Sequence, residues 1–389
     1  MAKRLAVLGG YTKGWQEITD DSPDDEDERA TQETALATLR EELSLISNSE
    51  SLIVLAGSGA SLGITDLSGD RGAPSMGSLW KEIEALDSFT LVEGQLSEAP
   101  IAAKNLEHVL SDAQARWALN SSESDLKEFI AEAEGIVWRK CSFINDASDL
   151  EAHELFLRKV ARRSTRLQRT QIFTTNYDLA FETAARRARF NVIDGFGYGG
   201  QDFDGASFDL DYVRRRPHEP LALEPSVFHL LKLHGSVDWT TTDSGVQKVH
   251  SAVKPENPVL IYPSAAKYQQ SYQQPYLEFM SRFQIALRQP DVGLIVVGFG
   301  FNDDHLSSPI EAALRSNIGL RAIFVSPGAR DNNRSKAVTW IEQLITKGDR
   351  RLTLLEATFD ELVKVLPDVP LREERDAHVE RVSSGGTRP

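Results

Sequence analysis

The feature that most constrains the fold is a series of short apolar runs, each ending in a small or polar residue. The runs include SLIVLAG, TQIFTTN, VFHLLKLHG, PVLIYPS, GLIVVGFG and LRAIFVSPG, and amphipathic segments such as YLEFMSRFQIALRQ and KAVTWIEQLITKG lie between several of them. Apolar runs of this length predict buried strands. Their alternation with helices predicts an α/β fold, in which a mostly parallel sheet carries helices on both faces.

The chain divides into segments of different pattern. An acidic run, DDSPDDEDE (20–28), predicts an extended, hydrated stretch, and the segment after it has the apolar spacing of an amphipathic helix. In residues 81–165 the apolar residues recur at helical spacing and no strand pattern interrupts them, which predicts an all-helical insertion. We expect an N-terminal acidic segment and helix (1–48), a main domain in two parts (49–80 and 166–366), the helical insertion (81–165) and a polar tail (367–389).

Composition excludes several classes of function. The 389 residues carry a net charge of −15, from 43 basic and 58 acidic residues, so direct nucleic-acid binding is not expected. No apolar run approaches the roughly 20 residues that span a bilayer. The apolar run at the N-terminus is too short for a signal peptide, which predicts a cytoplasmic protein. The single cysteine, Cys141, rules out an internal disulfide or a four-cysteine zinc site, and we expect it in the core.

The first candidate site is a glycine loop that follows an apolar run. Its residues are Gly57, Ser58, Gly59, Ala60 and Ser61. Glycines let a backbone approach a ligand closely, and free N–H groups in such a loop can hold phosphate oxygens. A simple tight turn would use the same residues, so the loop alone leaves both interpretations open.

Two further candidates also stand at the ends of apolar runs. Thr175-Asn176-Tyr177-Asp178 leaves its run without a glycine, and we expect the side chains of Asn176 and Asp178 to make the turn. Asp178 is expected to cap the next helix, and Tyr177 to pack in the core. His234 follows another run and precedes Gly-Ser. A lone histidine is more often structural, but this placement makes His234 a candidate general base.

The fourth candidate is a late glycine loop, VVGFGFNDDHL (296–306), with Gly298, Gly300 and Asn302 after an apolar run. Two glycines suggest a second close backbone approach, suited to the adenosine half of a dinucleotide. A glycine-rich loop that ends in a helix N-cap at Asn302 or Asp303 explains the same residues. The adjacent Asp303, Asp304 and His305 are not expected to chelate one metal ion, and no metal is predicted.

Taken in order, these motifs resemble the sirtuin superfamily. The matching residues are Gly57 to Ser61, Gly63-Ile64-Thr65-Asp66, Thr174 to Asp178, His234-Gly235 and Gly298 to Gly300, across roughly residues 50–80 and 168–330. TTNYD, LHGS and GFGFND are most similar to the bacterial sirtuin-like proteins of antiphage defence. The resemblance implies a Rossmann-like domain that takes NAD as its substrate.

The resemblance also implies roles for individual residues. Asn176 and His234 would be catalytic, with Asn176 placing a ribose hydroxyl or a water and His234 accepting its proton. The cofactor-binding residues would be Gly57, Ser58, Gly59, Ala60, Ser61, Asp66, Thr175, Asn176, Gly298, Gly300, Asn302 and Ser326. Asp66 would contact the nicotinamide end.

The sequence departs from sirtuin deacylases in ways that bear on function. Residues 237–290 contain no cysteine, Leu67-Ser68 replace the usual arginine, and the helical block occupies the place of the small domain. A zinc-supported groove for an acyl-lysine peptide is therefore not expected, and there is no zinc ribbon. Water is then the natural acceptor, which predicts an NAD hydrolase that yields ADP-ribose and nicotinamide.

The resemblance extends to a biological setting. It implies an effector that depletes cellular NAD during phage infection, forms a homo-oligomer and is gated by a HerA-type ATPase partner, since we expect no large fused sensor. Alternatives are an NAD-dependent protein deacylase or ADP-ribosyltransferase, a non-catalytic NAD or ADP-ribose sensor, and a nuclease subunit. The sequence leaves open the oligomeric state, the activating signal and the activity of the isolated subunit.

Overall fold

The computed structural model describes residues 4–12, 14–19, 26–120, 124–197, 202–249, 258–260 and 274–368. Helices within these ranges are α1 (Glu26–Ser47), α2 (Met76–Glu84), α3 (Asp87–Val92), α4 (Glu98–Ala102), α5 (Leu106–Leu119), α6 (Ser124–Cys141), α7 (Glu151–Val160), α8 (Ala180–Ala188), α9 (Tyr276–Ala286), α10 (Asp304–Ser316), α11 (Lys336–Thr346) and α12 (Phe359–Val365).

Strands form one large sheet and two small ones. They are β1 (Arg4–Gly9), β2 (Gln16–Thr19), β3 (Ser51–Ala56), β4 (Gln171–Thr174), β5 (Asn191–Ile193), β6 (Val213–Arg214), β7 (Ala222–Leu223), β8 (Val227–Lys232), β9 (Gly235–Thr242), β10 (Gly245–Lys248), β11 (Pro258–Leu260), β12 (Val292–Val297), β13 (Leu320–Val325) and β14 (Leu352–Glu356). The large sheet has the order β2-β1-β14-β13-β12-β3-β4-β8-β5, and its strands from β14 to β5 are parallel.

Both faces of the parallel strands are covered, which is why their sequences are continuously apolar. In β3, Leu52 and Val54 pack into a cluster with α1, α7, α8 and α12, whereas Ile53 and Leu55 pack on the other face with α9, α10 and α11. Strands buried on two sides need apolar residues at every position rather than at alternate ones. The predicted fold class, a mostly parallel sheet with helices on both faces and a helical insertion, is confirmed.

The order of the strands reverses at the pair β3 and β12. From β3 the chain builds β4, β5 and β8 on one side of the sheet, and β12, β13 and β14 then fill the other side. The loops that leave β3 and β12 therefore diverge from neighbouring strand ends. In open α/β sheets, a ligand site forms in the crevice at such a reversal, outside the carboxyl ends of the strands.

The structure corrects three sequence expectations. Residues near the N-terminus form a hairpin, β1 and β2, whose first strand pairs antiparallel with β14. Helix α1 begins at Glu26, so the last three acidic residues of the 20–28 run belong to its first turn, where they complement the helix dipole. Strand β11, expected in the parallel sheet, instead pairs antiparallel with β9 in a three-stranded sheet.

The helical insertion has its own apolar cluster, formed by α2, α3, α5 and α6 together with Val237 of β9. Helix α7 packs instead against the large sheet. Cys141 lies buried in the insertion, where burial raises the pKa of its thiol to about 12 and confirms it as a core residue. The division into domains stays a prediction, and most of the expected polar tail lies outside the described residues. Among the described helices, none combines the length and apolar character needed to cross a membrane.

Candidate functional site

The two glycine loops meet where the strand order reverses. A Cβ atom placed on Gly57 would lie 2.5 Å from the carbonyl oxygen of Gly298, and one on Gly59 would lie 2.6 Å from the Cα of Gly298. Gly298 itself has a φ of +64°, a left-handed conformation that favours glycine. The glycines of both motifs therefore allow one backbone to pack directly on the other.

Most amides of the first loop are already used. Gly57 N–H donates to the Val297 carbonyl at 2.9 Å and Gly59 N–H to the Gly298 carbonyl at 3.0 Å. Ala60 and Ser61 N–H donate within the loop, which forms a single 3-10 turn from Ser58 to Ala60. The free amides required by the sequence interpretation are thus not found at these four positions. Ser58 is the exposed residue of this loop.

A buried hydrogen-bond network joins the first loop to the end of β4. Asn176 donates from Nδ2 to Ser61 Oγ at 2.9 Å, and Ser61 Oγ donates to Asp178 Oδ2 at 2.8 Å. All three residues are buried. The Oδ1 atom of Asn176 is also buried and has no hydrogen-bond partner in the described part of the chain. The network fixes the amide group and leaves one acceptor unused.

The turn after β4 forms by a different route from the one expected. The amide N–H of Asn176 donates to the Thr174 hydroxyl at 3.1 Å, so a threonine closes the turn while the Asn176 side chain stays available to Ser61. Asp178 accepts from the Ala180 amide at 3.0 Å in the turn before helix α8. The N-cap residue of α8 is Leu179, so the cap predicted at Asp178 lies one position too early. Tyr177 packs partly buried against the helical cluster.

Lys232, at the end of β8, holds this turn in place and was missed in the sequence analysis. Its buried ammonium donates to the carbonyl oxygens of Tyr177, at 3.2 Å, and Asp178, and it pairs with Glu182 Oε1 at 3.1 Å. Burial raises the pKa of Glu182, although the Lys232 charge acts against this rise. The signal was a single charged residue inside the apolar run VFHLLKLHG.

His234 lies two residues beyond Lys232, with only 3% of its side chain exposed, and contacts the segment that follows β12. Its Nε2 lies 3.3 Å from Nε2 of His305, and the two rings stack at 29° with their centroids 5.4 Å apart. Asp303 places Oδ2 3.9 Å from His234 Nε2 and Oδ1 3.9 Å from His305 Nδ1. The sequence indicated Asp303 and His305 only as loop neighbours, because it could not show that His234 joins them.

The two catalytic candidates follow adjacent strands of the large sheet. In parallel register, Thr174 of β4 pairs with Lys232 of β8. Asn176 and His234 each follow these partners by two residues, so they leave adjacent strand ends. The Leu233 amide donates to the Thr174 carbonyl at 2.8 Å, which continues the pairing into this region.

The other predicted binding residues include Thr175 and Ser326, which follow strands of the large sheet, and Asn302, which lies in the loop after β12. Thr175 continues the pairing of β4 with β3 by donating its amide to the Ala56 carbonyl. Ser326 follows β13, and its hydroxyl accepts from the Gly328 amide. Asn302 is exposed, and a Cβ on Gly300 would meet its amide at 3.2 Å.

Asp66 belongs to a turn of its own. It is exposed, and its carboxylate accepts from the Ser68 and Asp70 amides of its own turn. No described hydrogen bond links the carboxylate of Asp66 to Asn176 or His234 within the parts of the chain that the structure describes. Its predicted contact with a nicotinamide stays a prediction.

A groove of about 480 Å³ lies elsewhere, on the helical insertion. It is lined by Leu86 and by residues of α6 that include Glu132, Trp138 and Arg139, and by none of the predicted site residues. Trp138 donates its indole N–H to the Val237 carbonyl at 2.7 Å, which ties the insertion to the strand that begins beside His234. The chemistry-bearing groups are at the strand ends rather than in this groove.

The strand-end arrangement supports acid–base chemistry on a hydroxylic group. Asn176 offers a fixed acceptor, and His234 offers an imidazole nitrogen that can accept a proton. One nitrogen from each of His234 and His305 and one oxygen of Asp303 lie within 4.8 Å of one another, a spacing that a metal ion could also use. Sequence separation alone does not reveal this grouping.

Comparisons with known proteins agree with the topology. Residues 170–345 match the family model described as the SIR2-like domain. No curated protein matches the chain. Together with the strand order, the family match supports a sirtuin-like fold.

Solved structures of Sir2 homologues also align with the chain. A Sir2 homolog–NAD complex is 17% identical with a TM-score of 0.40, and the alignment covers 87% of this chain and 94% of that chain. A mutant Sir2 homologue with ADP-ribose is 15% identical with a TM-score of 0.41, covering 90% and 99%. Alignments at these TM-scores add nothing further to the fold assignment.

Proposed function

We propose that this protein hydrolyses NAD to ADP-ribose and nicotinamide at the strand-end site. The observation that carries the proposal is Asn176 Oδ1, a buried acceptor without a partner among the described residues, held in place through Nδ2 by Ser61. An unpaired buried acceptor costs about 1–3 kcal/mol. A hydroxyl group of a ligand, or a water molecule bound at this position, could donate to Asn176 Oδ1 and would remove that cost.

The proposed reaction breaks the bond between C1′ of the ribose and the nicotinamide nitrogen. The bonding electrons leave with nicotinamide, and positive charge develops on the ribose. Asn176 Oδ1 accepts a hydrogen bond from a ribose hydroxyl or from the attacking water. His234 accepts the proton that the water loses as its oxygen bonds to C1′, and such proton transfer typically contributes ~10²–10⁴-fold to the rate.

The surrounding residues fix these two groups. Lys232 holds the carbonyls of Tyr177 and Asp178 and thereby fixes the backbone beside Asn176. Gly298 packs on the loop that carries Ser61. Of the predicted phosphate loop, Ser58 is the exposed residue, and we assign it the contact with the pyrophosphate. Thr175, Gly300, Asn302 and Ser326 are proposed to line the remainder of the NAD site.

Water as the acceptor is supported by the sequence. Residues 237–290, which follow the His-Gly motif, contain no cysteine for a zinc-supported peptide groove. The described part of this region contains most of β9, the antiparallel strands β10 and β11, and helix α9. A protein deacylase or ADP-ribosyltransferase is therefore the weaker candidate. A sensor without activity would need neither the reserved acceptor of Asn176 nor an imidazole beside it.

The biological role that we propose is the effector of an antiphage defence system, which depletes NAD and is gated by a HerA-type ATPase partner. The motif resemblance to sirtuin-like defence proteins supports it. An ungated NAD hydrolase would harm its own cell, which is the physical reason to expect gating by assembly.

Chromatography of NAD incubated with the purified protein tests the proposal. The reaction is run alone, with an acyl-lysine peptide, and with ATP, phage DNA and a HerA-type ATPase if one is encoded beside the gene. We expect nicotinamide and ADP-ribose in equal amounts without peptide, and loss of both products in Asn176→Ala and His234→Ala. Intact NAD in every mixture would contradict hydrolysis, and tight NAD binding without turnover would favour a sensor.

A further inference from the structure

We propose that His305, assisted by Asp303, is the outlet through which the proton accepted by His234 leaves the site. The inference rests on the proposed function and adds a positioning pair to it. It starts from an unexpected contact, since His234 follows β8 whereas His305 follows β12. The order of the sheet places β3 and β4 between these two strands.

The distance between the strands makes this contact informative. Three strand spacings separate β12 from β8, about 14 Å. The segment from Gly298 to His305 must therefore run along the carboxyl edge, past the ends of β3 and β4, to bring the Nε2 atoms of the two histidines within 3.3 Å. At this distance the two nitrogens share one proton in a hydrogen bond.

The exposed fractions of the side chains indicate the direction in which a proton would move. The His234 side chain is 3% exposed, Asp303 is 13% exposed and His305 is 31% exposed. A base so deeply buried exchanges protons with solvent slowly unless a neighbour carries them. Of the two neighbours, His305 is the more exposed, and its Nε2 lies within hydrogen-bond distance of His234.

The stoichiometry of the proposed reaction requires a route by which one proton leaves the site. NAD and water give ADP-ribose, nicotinamide and one proton. His234 takes that proton from the attacking water, donates a proton from Nε2 to Nε2 of His305, and becomes neutral again. His305 then releases a proton to the solvent. No oxidant, reductant or metal takes part in this transfer.

Asp303 occupies the N-cap position of α10, yet its carboxylate makes no capping hydrogen bond. An aspartate at this position ordinarily accepts from an amide of the first helical turn. Here its two oxygens lie 3.9 Å from one nitrogen of each histidine. A carboxylate between two imidazoles stabilises the positive charge on whichever ring holds the proton.

The experiment begins with steady-state kinetics of His305→Ala in the full protein under the conditions that activate it. We expect kcat to fall ~10²-fold, within the range of a lost proton-transfer step, with little change in KM. Added imidazole should restore part of kcat in His305→Ala but not in His305→Gln, whose side chain fills the space and neither takes up nor releases a proton. His218→Ala, which removes an exposed loop histidine, should match the wild type.

The carboxylate is tested with a matched pair. Asp303→Asn should lower kcat by ~10-fold, as expected for weaker stabilisation of the imidazolium. Asp304→Asn alters the next residue, which is exposed and lies in the first turn of α10, and should leave kcat unchanged. Equal effects of the two variants would assign the loss to the helix terminus and overturn the role of Asp303.

Nitrogen NMR of histidine-labelled protein supplies a readout that does not depend on turnover. We expect one Nε2 of the pair to be protonated and the other not, and the His234 signals to change in His305→Ala. Three results in an active enzyme would each overturn the outlet. The first is a His234 signal that does not change in His305→Ala, the second is a wild-type kcat in His305→Ala, and the third is a loss of kcat that imidazole does not restore.

A metal ion is the competing use of the three side chains. Bound zinc in the purified protein, with activity lost to a chelator and restored by zinc, would assign them to metal binding and overturn the outlet. An inactive wild type under every activating condition would overturn the proposed function and the outlet together. An active enzyme with uncoupled histidines would overturn the outlet alone.

Discussion

His153 and His234 are both buried histidines, but they lie in opposite surroundings. His153, on α7, packs against the rings of Phe181 and Phe359, with centroids 5.2 and 4.7 Å away, and its Nε2 has no partner within the described residues. His234 instead faces His305 and Asp303. Burial alone therefore does not distinguish a core histidine from a candidate catalytic one.

The difference lies in what each neighbourhood does to a proton. Burial among apolar groups lowers the pKa of His153 to about 3, so this ring stays neutral at any physiological pH. Around His234, a second imidazole and a carboxylate provide places to which a proton can move. Polar neighbours from separate strand ends, rather than burial, distinguish the candidate site from the core of this fold.

The largest expected effect tests whether the two buried histidines have different roles. His234→Ala should lower the rate of NAD cleavage by ~10²–10⁴-fold because the general base is lost. His153→Ala should keep the rate per folded molecule but lower the free energy of unfolding by about 2–4 kcal/mol, because it opens a cavity in the core. Nicotinamide release and thermal unfolding are measured on both variants. A rate loss in His153→Ala as large as that in His234→Ala would contradict the distinction.

The second expected effect concerns the free energy that backbone packing between the two glycine loops contributes. The site depends on backbone packing, so Gly298→Ala should cost about 2–5 kcal/mol, from left-handed strain plus a clash with the loop after β3. Gly348→Ala is the matched control, because Gly348 has a φ of +98° but open space around it. It should cost only about 1–2 kcal/mol. Equal costs in urea unfolding would show that loop contact adds nothing.

The smallest expected effect concerns acid stability in the core region. Because the pKa of His153 is lowered in the folded protein, the unfolded state binds its proton first as the pH falls. The stability is fully present above about pH 6.5 and is lost as the pH falls toward about 3. At pH 5 the loss from this one group is about 2 kcal/mol.

His153→Leu isolates that contribution, since the leucine side chain does not titrate. Unfolding free energies of the variant and the wild type are compared between pH 7.5 and pH 5. The variant should lose about 2 kcal/mol less than the wild type over this interval. Parallel pH curves would show that His153 does not titrate on unfolding.

The sequence predicted the parts of the fold that depend on local pattern. Continuous apolar runs identified β3, β4, β8 and β12, because strands covered on both faces contain few polar residues. The hairpin β1 and β2 was missed, because a short edge pair has a weak pattern and its partner, β14, is far along the chain. Strand β11 was assigned to the wrong sheet, because an apolar run does not specify its partner.

The candidate site was predictable only in part, for a related reason. Asn176 and His234 were identified because each follows an apolar run within a motif that resembles the sirtuin superfamily. Lys232 and His305 act through contacts that join separate strand ends, and no spacing along the chain encodes them. Gly57, Gly59 and Gly298 serve loop–loop packing. This packing uses the amides of Gly57 and Gly59, which the sequence analysis expected to be free for phosphate.

The most direct test of the central claim is mass spectrometry of ADP-ribose formed from NAD in water enriched in heavy oxygen. The wild-type protein should yield ADP-ribose that carries one heavy oxygen at C1′, and His234→Ala should yield none above background. Intact NAD, or ADP-ribose attached to a protein or peptide without the label, would contradict hydrolysis at this site.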